Sequence, residues 1–356
     1  MDNLWQNCKN ILVVRLDNMG DLLMSTPAIR ALKQTFNSRI TVLTSSMAAG
    51  IVDHIPEIDF LITFDVSWVK SEHASFSTDF LRLVEVLRER NFDAAVVFTV
   101  FSQNPMPAVM LAYLADIPLR LAYCRENPYQ LLTNWVPDEE PYIFIKHQVQ
   151  RDLDLVATVC TITSNDHLSI QIPDAWKAAQ EKIGKRSIDL QKPWIILHPG
   201  VSELKRQYPT ENWIELGKRL IADFGYQLLL TGSSTEKQLT DEIQQGIGSN
   251  AFSIAGLLSL DEFICLIKEA PLLISVNTGS VHIAAATQTP VVVLYAQTNP
   301  QHTPWKTPHQ VLYFEVPEAL RSKNEVLKFV QIHQEKVPEV VAVEDILKAV
   351  KELKEL

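Results

Sequence analysis

The stretch 11-ILVVRLDNMGDLLMSTPAIRALK-33 joins two kinds of pattern. With Asn10 it opens as the apolar run NILVVRL, which predicts a buried strand. Farther on, MSTPAIRALKQTF spaces its apolar residues as an amphipathic helix does. Between the two lie Asp17 and Asp21, with Gly20 just before the second acid. Many nucleotide-binding folds use such a strand-to-helix turn for phosphate, with glycines in it. Carboxylates at this place call for a different task.

The same grammar continues outward. RITVLTS, FLITFD and FDAAVVFTV read as strands, and TDFLRLVEVLRERN and PMPAVMLAYLAD as helices. Residues 120–150 read as irregular, and KHQVQRDLDLVATVC resumes as a helix. After a polar stretch, WIILHPG, YQLLLTGS, AFSIAG, PLLISVN and TPVVVLYA alternate with TENWIELGKRLIADFG, STEKQLTDEIQQG, SLDEFICLIKEA and SVHIAAATQ. Continuous apolar strands separated by helices predict parallel sheets covered on both faces. We read two doubly wound, Rossmann-like α/β domains, with a boundary between about 165 and 192. The first domain is assigned to residues 1–170, the second to 190–338, and the tail 339–356 to an amphipathic helix. Folds of this kind hold ligands at the carboxyl ends of their strands, here expected in a central cleft that the two domains face. Residues 65–79, DVSWVKSEHASFSTD, fit no motif.

Composition narrows the class. Of the 356 residues 47% are hydrophobic and 21% charged, and no apolar run reaches the ~18–20 residues of a membrane span. The N-terminus MDNLWQNCKN reads as neither a secretory signal nor a lipoprotein leader. The four cysteines are scattered without metal-ligand spacing, so reduced thiols in cytoplasm and no metal site are expected. The net charge of −10, with 13 basic and 20 acidic residues among the first 170, argues against a nucleic-acid partner.

Three segments carry candidate chemistry. LLISVNTGSVHIAAA ends a strand at Asn277, turns through Thr278, Gly279 and Ser280, and starts a helix holding His282. Helix N-terminal N–H groups there favour an anion such as phosphate, with His282 as a further donor. The alternative is a capped helix with a packed histidine. LHPGVSELKRQYPTENW is a long loop with His198, Gly200, Ser202, Lys205 and Arg206, suited to a pyrophosphate unless the basic doublet is merely solvated. LLLTGSSTEKQ adds Gly232 and a candidate ribose acid, Glu236, which could equally be a first-turn acid beside a Ser234 or Thr235 cap.

In the opening stretch Gly20 is read as the sharp turn and Asp21 as the start of the helix. Asp21 suits a cap, but the same location keeps its carboxylate ionised and free to act as a general base. Asp17, farther back in the loop, reads as structural. There is no GxGxxG, no GxxxxGK[ST] and no GxSxG. A DxD, Asp152-Leu153-Asp154, falls within the predicted helix 146–160 and reads as a solvated face.

Assembled in this order, the segments resemble glycosyltransferase family 9, the heptosyltransferase family of lipopolysaccharide core assembly. The opening stretch looks like that family's R-x-x-x-x-G-D-x-x-x-x-x-P segment. HPGVSELKRQYPTENWIELGKRL looks like its phosphate loop, and ISVNTGSVHIAAATQTPVVVLYAQTNP like its D-T-G-x-x-H-x-A-A-A signature. The resemblance implies a GT-B fold and an inverting, metal-independent transfer with no essential cofactor. Its donor would be a nucleotide-diphosphate sugar, ADP-heptose first, and its acceptor a lipid-linked or phosphorylated glycan met at the inner membrane face. It places the base at Asp21 and acceptor contacts at Gly20 and Arg151. Donor contacts fall on Ser202, Lys205, Arg206, Glu236, Asn277, Thr278, Gly279, Ser280 and His282. Asn277 stands where the family has Asp, Arg206 where it has Lys, and Ala296 where it has Gly. The rival readings are a nucleotide-sugar epimerase on the same fold and a non-catalytic nucleotide-sugar-binding homologue.

Overall fold

The computed structural model describes residues 4–69 and 75–355, so part of the unplaced stretch, 70–74, lies outside the described residues. It divides into two units, one of residues 1–171 with 324–330, the other of 172–323 with 331–356.

In the first unit the strands are β1 (Asn10–Val14), β2 (Arg39–Thr44), β3 (Phe60–Thr63), β4 (Ala94–Val97), β5 (Leu119–Cys124) and β6 (Asn134–Pro137). They form one all-parallel sheet in the order β3-β2-β1-β4-β5-β6. The helices are α1 (Met19–Phe36), α2 (Ser46–Ala49), α3 (Ser77–Glu89), α4 (Met106–Leu114) and α5 (Gln148–Ala157). β1 and β4 are buried almost throughout, as a central parallel strand with helices on both faces must be.

The second unit begins with α6 (Trp176–Gly184) and continues through β7 (Trp194–His198), α7 (Thr210–Phe224), β8 (Gln227–Leu230), α8 (Lys237–Ile247) and β9 (Ala251–Ser253). It goes on with α9 (Leu260–Glu269), β10 (Leu273–Val276), α10 (Gly279–Thr287), β11 (Val291–Ala296) and β12 (His309–Phe314). Then come α11 (Glu325–His333), whose first residues belong to the first unit, and α12 (Val343–Lys354). The sheet is again parallel, in the order β12-β11-β10-β7-β8-β9. Pro193, Pro290 and Pro308 stand immediately before β7, β11 and β12, where a missing N–H costs the ladder nothing.

Each order runs one way and then reverses, between β1 and β4 in the first unit and between β7 and β10 in the second. These are topological switch points, where crossovers leave on opposite faces and open a crevice at the strand carboxyl ends. The expected doubly wound α/β class is therefore what the chain adopts. Residues 120–150 are not irregular throughout, since they hold most of β5 and all of β6, and the polar stretch after 170 contains α6. β12, HQVLYF, was also not among the strands read from the sequence. None of the described helices is long and apolar enough to cross a membrane.

α1 begins at Met19, two residues before Asp21, which was expected to start it, and five before the periodic segment MSTPAIRALKQTF. The sharp turn is not made at Gly20, which lies within the first helical turn; Asn18, in extended conformation, is the N-cap. Asn is among the best cap residues, and Asp21 at the third helical position completes a capping box, its Oδ2 accepting from the Asn18 N–H at 3.2 Å. Pro27 interrupts α1 and cannot donate to the Leu23 carbonyl, and the Thr26 hydroxyl does so instead at 2.7 Å.

Candidate active site

In the first unit the site is built on Arg15, which follows β1 and is wholly buried. Its Nε lies 3.2 Å from Asp17 Oδ2 and its Nη2 3.1 Å from Asp21 Oδ1. One guanidinium thus spans the two acids of the opening stretch, a geometry that a planar fork permits and an ammonium does not. Asp21 is held from both sides, by Arg15 and by the Asn18 N–H at the positive end of α1. Asp17 also accepts a hydrogen bond from the Gln103 amide. Burial pushes Asp17 up to about 6, with Asp21 adding to the rise and Arg15 and Gln103 opposing it.

Asp152 corrects the sequence reading. It is not on a solvated face but buried in α5 against α1, its Oδ2 accepting from Ser25 Oγ at 2.7 Å and its Oδ1 from Gln148 Nε2 at 2.7 Å. Burial pushes it up to about 6 as well, against the opposing charges of Arg15 and Arg151. The signal was present in the sequence. Val149, Asp152, Leu155 and Val156 share the buried stripe of α5, so helical periodicity places Asp152 inside. Asp154, on the other side, pairs with Lys146.

Arg151 lies beside Asp152 in sequence but serves another network. Its Nη1 and Nη2 take the two oxygens of Asp138 at 2.8 and 3.0 Å, Glu140 lies 3.4 Å away, and the Tyr123 ring lies below. Its Nε donates to the Thr99 carbonyl at 3.0 Å. Arg151 is therefore a buried strut for the loop after β4.

In the second unit the candidate residues gather at the β7/β10 switch point. Thr278 is the extended N-cap of α10, and Gly279 and Ser280 supply its first N–H groups, which have no acceptor within the helix. The Ser280 hydroxyl is tied to Ser275 at 3.0 Å and Thr278 at 2.9 Å, which stiffens the turn. Asn277 turns inward: Oδ1 accepts from the Ala296 N–H and Nδ2 donates to Thr298 Oγ1, both at 3.3 Å. It joins the ends of β10 and β11. His282 is buried in α10, edge-on to His302.

The basic doublet is not solvated. Lys205 and Arg206 are each about a quarter exposed, and both reach Glu203 Oε2, at 3.0 and 3.5 Å. Arg206 Nη1 also donates to the Asn277 carbonyl at 3.1 Å, which aims it at the mouth of the α10 turn. Ser202 is exposed in the same loop. Glu236 Oε2 accepts from the Ser233 N–H at 2.6 Å and the Ser233 hydroxyl at 2.9 Å, so the cap is Ser233 rather than Ser234 or Thr235. A Cβ on Gly200 would stand 2.2 Å from Glu236 Oε1, and one on Gly232 3.0 Å from Oε2. Two strand-end glycines therefore admit this carboxylate between β7 and β8. Its charge acts on His198, whose imidazole burial pushes below its ordinary value and whose Nδ1 meets Thr231 Oγ1 at 2.9 Å.

Sequence reasoning did not single out Arg15 or Glu203. Arg15 closes an apolar strand, the one sign that it needed buried counter-charges. Glu203 sits two and three residues before the basic doublet, close enough to gather both.

A sequence model of Glycosyltransferase family 9 (heptosyltransferase) matches residues 80–328. Lipopolysaccharide heptosyltransferase 2 of Escherichia coli K12 is 26% identical over 309 residues, which cover 83% of this chain and 84% of that protein. Lipooligosaccharide heptosyltransferase 2 of Haemophilus influenzae is 26% identical over 309 residues, covering 83% and 85%. Among solved structures, a family 9 glycosyl transferase from Veillonella parvula superposes with a TM-score of 0.76 over 97% of each chain, at 20% identity. The E. coli ADP-heptose lipopolysaccharide heptosyltransferase II superposes with a TM-score of 0.72 over 98% of this chain and 100% of its own, at 22% identity. Those two likenesses speak for the fold, and the fold is of the GT-B type. The matched family model covers well over half of the residues, so the chain belongs to glycosyltransferase family 9, the heptosyltransferase family.

Proposed function

We propose that the protein transfers a heptose from ADP-heptose to a glycan of the lipopolysaccharide core, with inversion at the anomeric carbon and without a metal. The observation that carries the reading is a division of labour between the two switch points. The first unit offers a carboxylate, Asp21, anchored by Arg15 and the Asn18 N–H. The second offers N–H groups at Gly279 and Ser280 together with Lys205 and Arg206.

In the reaction, Asp21 takes the proton of an acceptor hydroxyl as that oxygen forms its bond to the anomeric carbon. The bond from that carbon to the diphosphate oxygen breaks on the opposite face, and the electron pair leaves with the nucleotide. Charge growing on the diphosphate is met by the α10 N–H groups, Arg206 and Lys205. The two basic side chains already share Glu203, so a diphosphate replaces one carboxylate as their counter-ion. Glu236 takes the ribose hydroxyls, Ser202 and Thr278 hydrogen-bond phosphate or sugar oxygens, and His282 and Asn277 shape the floor. Gly20 keeps the first turn of α1 open to the acceptor, and Arg151 acts through Thr99. The name of the E. coli ADP-heptose enzyme supports the donor. We place the reaction in the cytoplasm, on a lipid-linked or phosphorylated acceptor presented at the inner membrane face.

The test is a donor screen by calorimetry followed by turnover of wild type and Asp21→Asn. The expected result is ADP-sugar binding retained in the variant, with kcat reduced by about 10²–10⁴, the range of a lost general base. Unchanged turnover removes Asp21 from its role, and failure to bind any nucleoside diphosphate removes the transferase reading.

A further inference from the structure

A cavity of about 200 Å³ opens wholly within the first unit, at the β1/β4 switch point. Val14, Leu16, Val97 and Phe98 form its floor from the two strand ends, and Pro107 and Ala108 close it from α4. Trp68 walls one side, its indole held edge-on by Phe80 at 5.8 Å. Beside Trp68 stands Val69, and the polar lining residues are Asp17, Thr99, Ser102, Gln103 and Asn104.

We infer that this cavity binds one neutral, unphosphorylated pyranose ring of the acceptor glycan, a reading that rests on the proposed transferase function. Four observations converge on it. The volume lies below the roughly 300–1,000 Å³ of pockets for drug-sized ligands, which suits a single ring better than a whole nucleotide. An indole and an apolar floor opposite a polar rim match a ring with a C–H face and an edge of hydroxyls.

The polar rim is also unfinished. The Thr99 and Ser102 hydroxyls and the Asn104 amide nitrogen have no hydrogen-bond partner among the described residues, whereas an alkyl chain would leave them stranded. Asp17 accepts a hydrogen bond from Gln103 and forms an ion pair with Arg15, which leaves acceptor capacity for sugar hydroxyls. Finally, among the described residues of the lining Asp17 is the only charged one, so a phosphate placed there meets a carboxylate whose counter-charge, Arg15, lies buried behind it. Arg151 and Gln148 both donate to the Thr99 carbonyl and hold that wall in place.

The experiment titrates the full chain with methyl α-D-glucopyranoside, methyl α-D-mannopyranoside and methyl α-D-galactopyranoside, with D-glucose 6-phosphate as the charged comparison, by saturation-transfer NMR. Two variants, Ser102→Trp to fill the rim and Trp68→Ala to remove the wall, are compared after circular dichroism has confirmed their fold. ADP binding, followed by calorimetry, reports the second unit independently. We expect millimolar binding of at least one neutral glycoside, weakened about ten-fold or more in each folded variant, with ADP affinity unchanged. The inference is overturned if no neutral glycoside binds wild type, if glucose 6-phosphate binds as tightly as its neutral counterpart, or if folded variants retain full affinity. Glycoside binding without ADP binding leaves the pocket standing and removes the donor reading; ADP binding alone does the reverse.

Discussion

Replacing Arg15 by Met should destabilise the protein by an amount that grows with pH. Met keeps an unbranched apolar stem in place of the arginine's and removes the charge from a wholly buried position. In the native protein Arg15 faces Asp17 at 3.2 Å and Asp21 at 3.1 Å, and its charge also acts on Asp152. Removing one partner of a buried ion pair costs about 3–5 kcal/mol when the abandoned group stays charged. Here two of the acids have an escape. Burial already pushes Asp17 and Asp152 up to about 6, and Arg15 is what restrains them. Without it both rise further and take up protons at neutral pH.

The direction follows from proton counting. Between the native and the variant values, the folded variant binds more protons than folded wild type, while the unfolded chains bind the same number. Relative stability of the variant therefore falls as pH rises through that window. A one-unit rise in each of two acids amounts to about 2.7 kcal/mol, at about 1.36 kcal/mol per unit. Urea unfolding followed by circular dichroism at about pH 5 and about pH 8 should show the gap between wild type and Arg15→Met widening by that order. Arg15→Lys should fall between the two, because an ammonium cannot serve Asp17 and Asp21 from separate nitrogens. An equal gap at both pH values, or a wider one in acid, would refute the reasoning.

Other expectations concern the second unit. Gly200→Ala puts a Cβ where Glu236 Oε1 now lies, so the carboxylate must swing away; ADP affinity should drop about ten-fold while stability changes little. In a Glu236→Ala background the same Gly200→Ala should cost almost nothing, and a full additional loss in calorimetry would show that the glycine serves another purpose. His198 is held neutral by burial, so the unfolded chain gains protons first as pH falls below about 6.5. Wild type should lose stability over that interval, and His198→Gln should lose less; parallel thermal-melting curves for the two proteins would contradict the assignment.

Much of the site was legible because its residues are close in sequence. Asp21 and Asn18 lie three residues apart, and that spacing is itself the capping box. Thr278, Gly279 and Ser280 are consecutive, and any helix starting there exposes their N–H groups. The last two strands of the first sheet were harder to read. β5 carries Arg120 within it, and that guanidinium finds acceptors in the carbonyls of Ile117, Gln130 and Leu131, partners that the local pattern does not reveal. β6 alternates half-buried and exposed positions and lacks the apolar run that marks β1 and β4.

By itself the sequence determined the alternation of strand and helix, hence the two doubly wound sheets, and the identity of the residues at their switch points. Local backbone preference and hydrophobic periodicity decide both, and both act over a few residues. Only the tertiary structure decided which charges meet. Ser25 and Asp152 are 127 residues apart, yet they share a hydrogen bond inside the α1–α5 interface. Gly200, Gly232 and Glu236 come together only because β7 and β8 are neighbours, and Trp68 reaches the β1/β4 crevice from beyond β3. The electrostatics of Asp17 and Asp152 follow from desolvation, a property of the packed interior that neither residue possesses in the chain.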